Sequence, residues 1–183
     1  MPIIVSTVDD IDPLLNKVRA AANRTAQALA SLTSSELDGL EVLRRMKFTQ
    51  MAWHPIDDRE LNLVEQINQT WTYLVSLEAA RFLLERDPGV GLRLNLGTEA
   101  GTDIESLEPN LVAAETFAAV HPSNNRKLAK DLQKLACECP DVRAKYVFFS
   151  APGFEHRQRH KERETVDGIE VWSIDCLDKP HRP

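Results

Sequence analysis

Two carboxylates, Asp103 and Glu115, stand on two short apolar runs joined by Glu108-Pro109-Asn110. Proline presets φ and asparagine tolerates positive φ, so the runs read as a β-hairpin with a three-residue loop. In that register Leu107 faces Leu111, and counting outward sets Asp103 opposite Glu115. Cross-strand partners share a face and lie roughly 5 Å apart at Cβ. Two acids that close repel unless a cation or a shared proton joins them, which makes the pair a candidate divalent-metal site. A two-residue loop would put the acids on opposite faces, so the turn decides the matter.

Alternation agrees with the longer loop. Ile104, Val112, Ala114, Thr116 and Val120 fall on one face, and Asp103, Glu105, Glu115 and Phe117 on the other. Asp103 and Glu105 also read as the solvated side of an edge hairpin. Glu115 resists that reading: it interrupts LVAAETFAAV, an otherwise apolar run, where a carboxylate requires a partner or a metal.

The elements that must hold these residues follow from periodicity. Asp12-Pro13 opens a helix to about Leu32, and Ser34 or Ser35 caps a second to about Phe48. His54-Pro55 marks a break. Residues 57–86 read as a long helix with the stripe Leu61, Val64, Ile67, Trp71, Leu74, Val75, Ala79 and Phe82, stopped by Asp87-Pro88-Gly89. Glu78 lies inside that stripe, its carboxylate directed to the core side or paired with Arg81 or Arg44. Leu92, Leu94 and Leu96 alternate in a strand expected to pair with 102–107. Asn124 to Leu135 reads as an amphipathic helix, with Lys127, Lys130 and Lys134 opposite Leu128, Leu132 and Leu135. Strands at 144–150 and 169–176 follow, and the tail after Leu177 reads as frayed. The expected fold is α+β or α/β in one domain over 1–183. A helical N-terminal extension (1–56) leans on a core (57–176) of a helix, three strands, a crossover helix and a strand, with a mixed sheet of about five strands.

That order, with Asp103 before a hydrophobic strand bearing Glu115 and a helix after it, resembles the PD-(D/E)xK nuclease superfamily, whose core is restriction-endonuclease-like. The resemblance covers roughly residues 60 to 150. It implies a metal-dependent endonuclease in which Asp103 and Glu115 bind Mg2+ or Mn2+, the Thr116 carbonyl is a further ligand, and Glu78 on the first core helix completes the acidic cluster. The lysine expected two residues after the glutamate is Phe117 here. Some members supply the cation from the following helix, which nominates Lys127.

Composition bounds the alternatives. The chain has 183 residues, 43% of them hydrophobic and 27% charged, which is ordinary globular usage. No apolar run is long enough to cross a membrane, and the start of the chain lacks the pattern of a signal peptide. Three cysteines fit no disulfide framework, and the expected location is cytoplasmic. Cys137-x-Cys139 with His156 and His160 offers a thinner zinc set, because the Cys-x-Cys spacing is atypical. The net charge of -6 argues against a protein that coats nucleic acid, although a nuclease requires only a local basic cleft. His156, Arg157, Arg159, His160, Lys161 and Arg163 cluster between Gly153 and Gly168, where Glu155, Glu162, Glu164 and Asp167 nearly neutralise them. Two classes remain: a nuclease acting on DNA phosphodiester bonds, with a homodimer left open, and a catalytically inactive binding or assembly module of the same fold.

Overall fold

Short apolar runs between helical stretches set the element order. In the computed structural model, which describes residues 2–97, 101–154 and 156–176, β1 (Ile3–Val5) leads to α1 (Ile11–Thr33) and α2 (Gly39–Phe48). Then come β2 (Ala52–Trp53), β3 (Glu60–Leu61) and α3 (Leu63–Arg86). The remainder is β4 (Leu92–Leu94), β5 (Ile104–Ser106), β6 (Val112–Ala118), α4 (Lys127–Glu138), β7 (Ala144–Ser150), β8 (Gln158–Arg159) and β9 (Ile169–Ser173). The chain divides into two units, residues 12–74 and residues 1–11 with 75–183, so α3 contributes to both.

In the 12–74 unit, two starts differ from the sequence expectation because capping residues decide them. Asp38 accepts hydrogen bonds from the N–H groups of Leu40 and Glu41, so α2 begins at Gly39 rather than after Ser34 or Ser35. The Asn62 side chain accepts from the Glu65 N–H at 2.9 Å and starts α3 at Leu63 rather than at 57. The residues before it form the antiparallel β2–β3 pair, Ala52 opposite Leu61. Its loop is organised by buried His54, whose Nδ1 accepts from the Ile56 and Asp57 N–H groups while Nε2 meets the Tyr73 hydroxyl at 3.1 Å. Accepting at Nδ1 leaves the ring proton on Nε2, and burial lowers the pKa of this histidine.

The other unit is built on a seven-stranded mixed sheet in the order β1-β4-β5-β6-β7-β9-β8. Strands β1, β4, β5 and β6 pair antiparallel, β6, β7 and β9 parallel, and β8 antiparallel to β9. Two strands of this sheet were not foreseen: β1 and β8 have three and two residues, too few to show a period. The turn is the three-residue one. Asn110 takes φ 65°, Ile104 pairs with Ala114, and the next step outward sets Asp103 against Glu115. The Ser106 hydroxyl braces the loop, donating to the Glu108 carbonyl at 2.6 Å and accepting from the Val112 N–H at 3.0 Å.

Strand β6 is buried from Val112 through Phe117, which requires cover on both faces. On the face of Thr116, residues 75–86 of α3 bring Ser76 to the Thr116 hydroxyl and Phe82 against Tyr146, Phe148 and Trp172. On the face of Glu115, α4 packs Leu132 and Leu135 into a core with Phe117, Val147, Phe149 and Val171. Phe117 stacks on Phe149 with ring centroids 5.9 Å apart. Replacing Phe149 by alanine should cost about 3–5 kcal/mol in urea unfolding, whereas Val120→Ala, at a position 79% exposed, should change stability by less than about 0.5 kcal/mol.

Candidate functional site

Glu115 points from the middle of β6 toward α4 and is only 2% exposed. A carboxylate there is costly unless it is paired. Its partner is the half-buried Lys134 of α4, whose Nζ lies 2.7 Å from Glu115 Oε1 and 2.7 Å from the Gly101 carbonyl oxygen. One ammonium thereby ties α4 both to β6 and to the segment that leads into Asp103.

Asp103 ends the β5 ladder. Its Oδ2 accepts from the Thr116 N–H at 2.7 Å and from the Thr116 hydroxyl at 3.0 Å. With that proton committed to Asp103, the 2.6 Å contact between the Ser76 and Thr116 hydroxyls has Ser76 as donor. The N–H and C=O of a strand residue open to the same edge, so the Thr116 carbonyl faces the β5 side, where Asp103 sits.

A third acid lies behind the first two. Asp131 occupies the buried side of α4 with Leu132 and Leu135, and it is 3% exposed. Lys127 Nζ donates to its Oδ1 at 2.6 Å. Asp131 Oδ2 is buried with no hydrogen-bond partner among the described residues.

Burial raises the Glu115 pKa to about 7, and the charges of Asp103 and Asp131 push the same way against the Lys134 hydrogen bond. Burial likewise raises Asp131, opposed by Lys127 and reinforced by Asp103. For Lys134 burial acts downward, but the hydrogen bond and charge of Glu115 outweigh it and hold the ammonium above its ordinary value.

The other residues singled out in the sequence fall elsewhere. Lys127 pairs with Asp131, and the cation on Glu115 is Lys134. Glu78 pairs with Arg81 at 3.2 Å and acts on the Cys176 thiol, while α3 packs on the Thr116 face, opposite Glu115. Phe117 shares the face of Glu115, but its ring is in the core under α4 rather than over an open cleft. Cys137 takes a hydrogen bond from Gln133, and His160 lies between Ser173 Oγ (3.0 Å) and Glu162 (3.2 Å). That last trio has the order of a nucleophile, base and acid, yet Ser173 is 1% exposed and donates to the His156 carbonyl at 2.6 Å. The cations between Gly153 and Gly168 are largely committed within the chain: Arg157 to Glu85, Arg159 to Glu164 and Glu170, and Arg163 to Glu162. Glu155 and the tail from residue 177 lie outside the described residues.

Sequence reasoning missed Lys134 and Asp131. Lys134 was visible only as one of three lysines at helical spacing, and nothing in their order says which one faces the sheet. Asp131 did leave a signal, since it sits three residues after Leu128 and four before Leu135, inside the apolar stripe.

As a set, these groups pair acids with lysines and backbone donors. Among the described residues no three acid, histidine or cysteine side chains converge on one ion. Mg2+, however, takes one or two protein carboxylates and keeps several waters. Asp103 and Glu115 face one another in the extrapolated hairpin register, and each carboxylate is already met by groups of the protein, Thr116 and Lys134.

The linkage of Glu115 to pH has a definite sign. A folded-state pKa of about 7 against an ordinary 4.5 means that stability from the protonated acid is complete below pH 4.5 and fades as pH rises through 7. The raised Lys134 value contributes stability throughout that window and loses it only at higher pH. Glu115→Gln should therefore gain stability over wild type on going from pH 5 to pH 8, by at most about 3 kcal/mol, in denaturant unfolding at each pH.

Compared with known proteins, the chain matches no family model, no curated protein and no solved structure.

Proposed function

We propose that the chain is a divergent metal-dependent nuclease of the PD-(D/E)xK kind, hydrolysing DNA phosphodiester bonds, with Asp103 and Glu115 holding Mg2+ or Mn2+. The observation that carries this reading is the 2.7 Å contact of Lys134 Nζ with Glu115 Oε1, opposite Asp103 in the hairpin register. An acid before the strand, an acid in it and a lysine beside them is the charge set of that superfamily, with the lysine delivered from the following helix instead of from position 117. The strand order β4-β5-β6-β7, with the last pair parallel and α4 crossing between them, supports it further.

When bound, the ion supplies Lewis-acid activation of water and charge neutralisation at the phosphate. The chain's own residues have separate tasks. Lys134 places a positive charge beside the acids, where a phosphate oxygen can exchange for its contact with Glu115 or with Gly101. Thr116, held by Ser76, fixes the Asp103 carboxylate through two donors to one oxygen and leaves Oδ1 to the cation. Phe117 and Leu132 close the floor beneath Glu115 to water. The second reading, a binding or assembly module without catalysis, has an observation of its own: Asp103 and Glu115 are each already satisfied by groups of the protein.

A cleavage assay separates the two. Wild type should nick supercoiled DNA with Mg2+ or Mn2+, and Asp103→Asn should lose at least about 100-fold in rate. Metal uptake should weaken as the pH falls, because a proton and the cation compete for Glu115, whose pKa burial raises. A wild type inert with both ions, and indifferent to Asp103→Asn in every assay, would leave the binding module as the function.

A further inference from the structure

A groove of about 650 Å³ lies between α4 and the residues Thr165 and Val166. Its charged lining is three cations, Arg126, Lys130 and Lys134, against one acid, Glu138, in a chain whose net charge is -6. Lys130 and Lys134 stand one turn apart, a spacing at which like charges destabilise a helix. Neither Arg126 nor Lys130 has an ion-pair partner among the described residues to offset that cost. The backbone entering the groove is strained as well, since Asn125 and Arg126 take φ 53° and 55° in succession. Two other cavities differ in this respect. Where Arg86, Arg157 and Arg159 line a cavity, glutamates already hold all three. Where Arg143 and Lys145 line another, Asp87 and Glu170 share the wall. Only beside α4 does positive charge collect with so little inside the chain to neutralise it.

We infer that this groove seats the phosphate backbone of duplex DNA, with Arg126 and Lys130 each meeting a phosphate. The inference rests on the nuclease reading for the identity of the polyanion; the groove itself supplies the charge complementarity. An arginine fork and a lysine ammonium are the side chains that bind phosphate oxygens, and each phosphate they neutralise releases counterions that drive binding. Gln133 and Thr165 add uncharged hydrogen-bonding groups to the same walls. Elsewhere the net negative charge of the chain repels a polyanion, which confines the encounter to this face. Lys134 belongs to both places: it lines the groove, and its Nζ lies 2.7 Å from Glu115. A strand held by Arg126 and Lys130 therefore passes beside the lysine that grips the proposed acid pair. Contacts of this kind position a duplex without reading its bases.

The test is binding of a short fluorescein-labelled DNA duplex by the full chain in EDTA, followed by anisotropy over a range of salt. The double variant Arg126→Gln, Lys130→Gln leaves Lys134 on Glu115. It should bind about 10-fold or more weakly at low salt, equally for different sequences, and flatten the slope of log affinity against log salt by about 1.8, or 0.9 for each lost phosphate contact. The charge-keeping double Arg126→Lys, Lys130→Arg should bind as wild type does, which separates lost charge from a disturbed fold. Lys17→Gln with Lys47→Gln removes the same charge from α1 and α2 and should leave the slope unaltered. A slope unchanged in the Arg126, Lys130 double, or flattened equally in the Lys17, Lys47 double, would overturn the inference. Poly-glutamate bound as tightly as DNA through the same two residues would also overturn it, marking the groove as a seat for an acidic protein segment. Cleavage by wild type alongside either result would leave the nuclease reading standing without this groove. Binding lost as predicted from a wild type that cleaves nothing would keep the groove and remove the catalysis.

Discussion

A carboxylate in the middle of a strand covered on both faces is the constraint around which the sheet-bearing unit is organised. Glu115 cannot be solvated, so its position is tolerable only with a cation brought to it. Lys134 does this from α4, which fixes the rotation of that helix over β6 and so decides which side chains join the core. With Lys134 on Glu115, helical phase sends Leu132 and Leu135 onto Phe117 and Phe149, and it places Asp131 at the buried margin of the site. The second bond of the same ammonium, to the Gly101 carbonyl, anchors the chain just before Asp103. Asp103 then caps the end of β5 through Thr116, and Ser76 on α3 completes the line. A chain of short polar contacts therefore runs from one covering helix through the sheet to the other.

Under the proposed nuclease reading, Phe117 and Lys134 share between them what one lysine would supply. A lysine at position 117 would have to leave the apolar layer between β6 and α4, where the ring now stacks on Phe149. Aromatic packing takes that place and strengthens the core, while the positive charge arrives at Glu115 from the other side of the same layer. The cost is electrostatic crowding around two buried acids, Glu115 and Asp131, with Glu115 raised to about 7 by its burial and by its acidic neighbours.

What the sequence made legible was what local rules control. The Pro109-Asn110 turn set the loop length, and with it the register that puts Asp103 against Glu115. The leucine alternation of β4, the apolar run of β6 and the period of α4 all emerged as elements. Helix starts were misread where a polar cap outranked periodicity, as at Asp38 and Asn62. Strands β1 and β8 were hidden because each is defined by its sheet neighbours rather than by its own residues. That Lys127 pairs with Asp131 while Lys134 meets Glu115 was not legible for a related reason. Both lie on the same flank of α4, and only the placement of the helix over the sheet decides which ammonium reaches Glu115.

The central claim is that Asp103 and Glu115 form the cation-holding pair, with Lys134 supplying the positive charge that position 117 lacks. A crystal soaked in Mn2+ and measured at the manganese absorption edge tests it most directly. The account predicts an anomalous peak bridging Asp103 and Glu115, beside the Thr116 carbonyl, with Lys134 still on α4's inner flank but released from Glu115 Oε1. An unaltered Lys134–Glu115 pair, with no anomalous density between the two acids, would contradict it.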